Sequence, residues 1–194
     1  MAKEDRRSSG VGGLDQAMEG GYPLGTTIVV MGSPLTGLEH MARQFWRVND
    51  EPGTYLMLDA EVEEGMIDAK GIDPTQYVPL YKGDRLVVDS LSSLIIRFGI
   101  DKAIDCMIAA EKEVVSRNAN IMFILYSDLH TGEEEFRILR RADVVIELKE
   151  VIFMNEIERQ LAVHKAHKMA VPKRLIPFNI TEKGIELSTT SRVV

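Results

Sequence analysis

The sequence predicts an α/β fold: a mostly parallel sheet with helices on both faces, extended at its C-terminal edge by antiparallel strands. Three observations carry that expectation. Short apolar runs without polar alternation recur along the chain, as strands buried on both faces require. Stretches with apolar residues at helical spacing lie between several of them, the alternation that builds parallel sheets. Beyond residue 143 the helical stretches stop and three strand-like runs follow one another directly, which suits an antiparallel extension.

Residues 1–8 are charged and small and read as a flexible N-terminal tail, leaving 9–194 as a single domain. Between residues 10 and 25, closely spaced glycines and Pro23 supply turns around a short helix at 14–19. Thr26-Thr27-Ile28-Val29-Val30-Met31 is the first buried strand, closed by Gly32-Ser33-Pro34. Leu38, Met41, Ala42 and Phe45 then recur at i, i+3, i+4, i+7 and mark one face of a helix. A second strand occupies 54–59, after the Pro52-Gly53 turn. The acidic segment 61–70 reads as a helix ending at Gly71, and 77–80 as a short extended piece. Arg85-Leu86-Val87-Val88-Asp89-Ser90 is the third strand. A helix over 101–117 presents Ile104, Met107, Ile108 and Val115 on one face, and Cys106 within it reads as a small core residue. The fourth strand is 121–126, a charged helix spans 133–141, and strands at 143–148, 159–164 and 176–180 complete the order.

The 194 residues include 23 Lys and Arg against 30 Asp and Glu, a net charge of −7. With 45% hydrophobic and 27% charged residues, the composition is that of a globular protein able to bury a full core. The acidic balance argues against coating nucleic acid or an anionic membrane, both of which need basic surface. No apolar run approaches the ~20 residues of a membrane span. No apolar segment follows the charged N-terminus, so no secretory signal is read there. The one cysteine, Cys106, cannot form an internal disulfide. A cytoplasmic location is therefore expected.

Ligands of such sheets bind beyond the carboxyl ends of the strands. The first strand–turn–helix reads Gly32-Ser33-Pro34-Leu35-Thr36-Gly37-Leu38-Glu39. Against the phosphate-loop pattern GxxxxGK[ST], both glycines are in place, but Leu38 and Glu39 replace the lysine and the hydroxyl. Asp89 ends the third strand where an NTPase carboxylate reaches Mg²⁺, although Asp-Ser after a strand is also an ordinary start for a helix. His164 and His167, three apart on a strand, face opposite sides and make no metal pair. The clusters Glu61, Glu63, Glu64 and Glu133, Glu134, Glu135 read as solvated helix starts. His130, close to Asp128, follows the fourth strand and reads as an exposed loop residue.

Ser9-Gly10-Val11-Gly12-Gly13-Leu14-Asp15 and Gly20-Gly21-Tyr22-Pro23-Leu24-Gly25 resemble the opening signature of the KaiC-like branch of the RecA-superfamily ATPases, as in archaeal-type KaiC-like domains. Residues 32–37 fall where that family places its phosphate loop, and Arg85-Leu86-Val87-Val88-Asp89-Ser90 is similar to its Walker B strand. Arg141-Ala142-Asp143-Val144-Val145-Ile146-Glu147-Leu148 looks like its late strand. Arg159-Gln160-Leu161-Ala162-Val163-His164-Lys165, followed by Ile176-Pro177-Phe178-Asn179-Ile180-Thr181-Glu182-Lys183-Gly184-Ile185, resembles its closing hairpin. The likeness runs in order over residues 9–187 and implies a RecA-like P-loop NTPase fold.

The departures from the family define the functional expectation. The resemblance implies glycine where Leu35 stands, lysine at Leu38 and Thr or Ser at Glu39, so the Walker A motif is degenerate. It also implies a Glu-Glu pair, the second a water-activating base, where this chain has Asp59 and Ala60. Gly32, Ser33, Thr36, Gly37, Glu39 and Asp89 are then a vestigial nucleotide site, with Asp89 a metal ligand only if a magnesium nucleotide binds. Glu39 is expected to fill the anion site from within the chain and to sit four residues before a partner in Arg43. Lys165 and His167 resemble the family's Lys-x-Arg segment, which points at the neighbouring subunit's nucleotide, and are subunit-interface candidates.

The expected function is a non-hydrolysing, regulatory or interaction subunit with no cofactor. Its partner would be another copy of itself or a KaiC-like paralogue, with no role for membrane or nucleic acid. The alternative is an ATP-binding NTPase with an unconventional loop, using Asp89 for Mg²⁺ and Asp59 as base. A DNA-handling recombinase relative is disfavoured by the acidic balance and the lack of a basic, aromatic-rich surface.

Overall fold

A computed structural model describes residues 6–188 of the chain. The described residues open with β1 (Arg6–Arg7), α1 (Gly12–Ala17) and β2 (Tyr22–Pro23), which pairs antiparallel with β1. β3 (Thr27–Gly32), α2 (Leu38–Trp46), β4 (Gly53–Met57) and β5 (Ile67–Asp68) follow. Single 3-10 turns at Pro74–Gln76 and Val78–Leu80 lead to β6 (Arg85–Asp89) and α3 (Leu91–Phe98). Then come α4 (Ile100–Arg117), β7 (Asn120–Tyr126), α5 (Gly132–Arg141), β8 (Val144–Phe153), β9 (Glu156–Ala166), β10 (Ile176–Thr181) and β11 (Gly184–Leu187).

Among the described residues the main sheet has nine strands, in the order β11-β10-β9-β8-β3-β7-β6-β4-β5. From β8 to β5 every pairing is parallel, and from β8 outward through β9, β10 and β11 every pairing is antiparallel. This is the mostly parallel sheet with an antiparallel edge that the order of apolar runs predicts. Alternate residues of β3 point to opposite faces. Ile28 and Val30 pack with Leu14, Met41 and Phe45 of α1 and α2 on one side. Val29 and Met31 pack with Leu91, Met107 and Ile138 of α3, α4 and α5 on the other. A strand covered on both faces has no position that gains from being polar, hence its unbroken apolar run.

Several local expectations are corrected. Arg6–Arg7 form a strand, and the Arg7 guanidinium donates to Asn118 O and Asn120 Oδ1 and pairs with Asp84 at 3.1 Å. Residues 1–5 of the expected tail lie outside the described residues. The segment 61–70 is not helical. Ile67 and Asp68 join β4 as the parallel edge strand β5, and Glu63 reaches Arg43 and Arg47 at 2.7 and 3.2 Å. Gly65, at φ +85°, turns the chain there against the Trp46 ring. Residues 77–80 tighten into a 3-10 turn rather than extending, with Tyr77 buried. Asp89-Ser90 does start a helix, α3, which the sequence reading left without bounds; Ser90 caps it, its hydroxyl accepting from Ser93 N–H. The buried face of α4 is Ala103, Cys106, Met107, Ala110 and Val114, while Val115 is exposed, so the apolar face is rotated by one position from that expected. Among the described residues no helix is long and apolar enough to cross a membrane.

Candidate functional site

The loops after β3, β4, β6, β7 and β8 all leave the carboxyl edge of the sheet, so the chemistry-bearing residues of the sequence converge there. Gly32 ends β3 in close quarters: a Cβ on it would lie 2.5 Å from Leu148 O and 2.7 Å from Thr36 Oγ1. The chain then makes a turn across Ser33-Pro34-Leu35-Thr36. Thr36 N–H donates to Ser33 O at 3.1 Å, Thr36 Oγ1 to the same carbonyl at 2.7 Å, and Leu35 N–H to Ser33 Oγ at 3.3 Å. Proline at the second position and serine at the first are what such a turn favours. Leu35 is not among the residues with positive φ and projects outward, 72% exposed.

Gly37, at φ +85°, carries the chain into α2. Leu38, Met41, Ala42 and Phe45 are fully buried beneath it, as their spacing implied. Glu39 departs from expectation. Its carboxylate lies 3.9 Å from His40 Nε2, no side chain caps the helix, and Arg43 pairs with Glu63 instead. The anticipated i,i+4 pair is not formed because the loop bearing Glu63 runs alongside the helix and offers a carboxylate at 2.7 Å.

Asp89 ends β6 in register with Met57 of β4 and accepts a 2.6 Å hydrogen bond from Tyr55 Oη, an interaction that the sequence did not signal. Burial pushes the Asp89 carboxyl up to about 6; nearby Asp59 and Glu39 add to the rise, while Tyr55 and Arg43 oppose it. Burial and the same carboxylate hold the Tyr55 phenol far above its ordinary range. Asp59, beyond β4, accepts from Ser90 Oγ at 2.7 Å and from Ser93 Oγ, so it fastens the start of α3. Asp59, Asp89 and Glu39 also all raise the Tyr126 phenol, whose shift is due first to burial. The three carboxylates thus share one neighbourhood. Among the described residues, however, no group of three or more His, Cys, Asp or Glu is placed to hold a metal ion.

His130 is not a free loop residue. Its Nε2 lies 2.8 Å from the hydroxyl of buried Ser92, which also accepts from Tyr126 N–H. This contact fastens the loop after β7 to α3. Lys165 donates to Arg140 O at 2.8 Å, closing the C-terminal turn of α5, while His167 is exposed beyond the end of β9. The structure therefore separates these two from the residues around Asp89 and gives Lys165 a local role. His164 pairs with Glu147 at 2.6 Å. A cavity of about 600 Å³ lies on the outer face of α2, between Arg43, Arg47 and the Lys183 turn, away from the buried face of that helix.

Residues 72–192 match the family described as "ATPase: KaiC". A UPF0273 protein of Pyrococcus furiosus is 25% identical over 231 aligned positions, covering 93% of this chain and 92% of that protein. The crystal structure of a KaiC-like protein from Pyrococcus horikoshii is similar with a TM-score of 0.76, covering 94% of this chain and 98% of that one. At 23% identity, that structural likeness concerns the fold alone.

Proposed function

The chain belongs to the KaiC ATPase family, and on that premise we propose that it is a member that does not hydrolyse ATP and serves as a regulatory or interaction subunit. Its partner would be a second copy or a related KaiC-like chain. The observation that carries this reading is the closure of residues 33–36 upon themselves. A phosphate loop holds a triphosphate with backbone N–H groups aimed at it and with a cation. Here the amides of Leu35 and Thr36 are turned back onto Ser33. Leu38 is fully buried in apolar surroundings and offers no charge, and Glu39 adds a negative one in the first turn of α2.

Asp89 is already held by Tyr55 and favours its protonated form up to about pH 6. These residues do not fit a magnesium triphosphate. Calorimetric titration of the full chain with ATP and magnesium is expected to give no binding heat, and a phosphate-release assay no signal above buffer. Micromolar binding, with phosphate release lost in Asp89→Ala, would establish the other reading: an NTPase with an unconventional loop, in which Asp89 holds the metal and Asp59 is the base.

A further inference from the structure

The cavity of about 600 Å³ on α2 is bounded by three elements: the outer face of that helix, the glycine-rich entry to α1 and the turn joining β10 to β11. None of residues 32–37, Asp59 or Asp89 lines it, so it is separate from the turn after β3 and from the buried carboxylates. Its volume suits a small molecule. Its walls do not suit an apolar one, since among the described residues Val48 is the one aliphatic side chain on them.

Two cations are fixed on one wall. Arg43 and Arg47 stand one turn apart on α2, a spacing at which like charges repel. Glu63 offsets that repulsion by reaching Nη2 of each, at 2.7 Å from Arg43 and 3.2 Å from Arg47. Arg47 also lies over the Trp46 ring, 5.1 Å from its centroid. Both guanidinium groups are thus held by one end, with donors left over at the other. Arg43 Nε is buried without a partner, and among the described residues Nη1 of either arginine makes no hydrogen bond. Lys183, exposed on the β10–β11 turn, brings a third cation from a different element. The acids on the walls differ in what they can still accept. Asp15 is taken up by Ser8 Oγ, Ser9 N–H and Ser9 Oγ, whereas Glu182, exposed in the same turn as Lys183, is open to a ligand. With Glu63 and Glu182 close by, the cavity is no bare basic surface. It matches a compact anion whose own molecule also carries hydrogen-bond donors.

We propose that this cavity binds a small phosphate monoester bearing hydroxyl groups, with its phosphate on Arg43, Arg47 and Lys183 and its hydroxyls on Glu182 and Asn49. Arginine offers the phosphate paired N–H donors and lysine a point charge. Glu63, which does not line the cavity, positions the two guanidinium groups. The site goes beyond the reading of the protein as a non-hydrolysing subunit and does not depend on it, because it shares no residue with the turn after β3.

Calorimetric titration of the full chain with glucose 6-phosphate tests it, with glucose and inorganic phosphate titrated alongside. Glucose 6-phosphate is expected to bind with a dissociation constant below about 1 mM, inorganic phosphate roughly tenfold more weakly, and glucose not measurably. Lys183→Met and Arg47→Gln, exposed and on different elements, are each expected to weaken glucose 6-phosphate by roughly tenfold or more with thermal unfolding unchanged. Lys102→Met, an exposed lysine of α4 far along the chain from these walls, is expected to leave the affinity as it is. A Cβ on Gly12 would meet no atom within 4 Å, so Gly12→Leu fills the cavity without displacing its walls and is expected to abolish binding. Failure of glucose 6-phosphate to bind at millimolar concentration overturns the proposal. So does binding that survives both charge variants, which would put the ligand elsewhere. Equal affinity for inorganic phosphate overturns it as well, since the hydroxyl contacts would then contribute nothing.

Discussion

Asp89 is a carboxylate whose burial works against its charge. Its carboxyl titrates at about 6, against an ordinary value of about 3.9 for aspartate. Between those two values the folded chain binds more protons at this group than the unfolded chain. The contribution of Asp89 to stability is therefore greatest below about pH 4, falls as pH rises towards 6, and stays low above it. Asparagine keeps an oxygen to accept the Tyr55 hydroxyl and carries no charge. Asp89→Asn is thus expected to stabilise the fold by on the order of 2 kcal/mol at about pH 7.5 and to give no gain near pH 4. Urea unfolding at the two pH values measures this, and a variant less stable than wild type at the higher pH would show that Arg43 fully compensates the charge. The same residue has a structural role of its own. Asp89 now fills a place in a buried hydrogen-bonded pair with Tyr55 on the neighbouring strand.

At the scale of elements, the turn between β3 and α2 retains its two glycines for reasons of shape. Gly32 has no room for a Cβ, and a Cβ on Gly37 would lie 2.8 Å from Ile180 Cδ1 at a backbone φ of +85°. Gly37→Ala is expected to cost about 1–2 kcal/mol from the left-handed conformation alone, and more if Ile180 cannot shift. Denaturant unfolding measures it, and a neutral result would mean that the turn relaxes to negative φ. The central strands and α2 were legible because their burial is written in unbroken or i, i+3, i+4 apolar patterns. The segment 61–70 was not, because its acidic run suits a helix face equally well, and what decides it is the edge of β4 together with Arg43 and Arg47. The extent of α3 is not legible because Leu91-Ser92-Ser93-Leu94-Ile95 has both strand-like and helical character, and the cap from Ser90 settles it. The site followed the same rule. Asp89 and the turn glycines stood out in the sequence, whereas Tyr55, Ser92 and the Ser90–Asp59 bond depend on which strands become neighbours.

The whole molecule is joined across its length by one side chain. Gln44, on the outer face of α2, donates through Nε2 to Gly10 O at 3.4 Å and to Ile185 O at 3.1 Å, and accepts from Ile185 N–H at 2.7 Å. It therefore ties the first turn of the chain and its last strand to the helix that follows the central strand. Gly10 and Gly184 are packed against it so closely that a Cβ on either would lie 2.5 Å from a Gln44 atom. Removing the amide leaves the Ile185 N–H without its partner, at a cost of about 1–3 kcal/mol. β10 and β11 make only antiparallel pairings, with β11 at the edge of the sheet, while β3, β6 and β7 are flanked on both sides by parallel strands. Gln44→Ala is thus expected to open the C-terminal edge before the centre. Amide hydrogen exchange in 176–187 should accelerate by roughly 5- to 30-fold, the factor that one or two kcal/mol confers, with β3 and β7 changed no more than global unfolding requires. Uniform acceleration across all nine strands would instead mean that the antiparallel edge and the parallel centre unfold as one unit, and that Gln44 stabilises the whole sheet rather than joining its two parts.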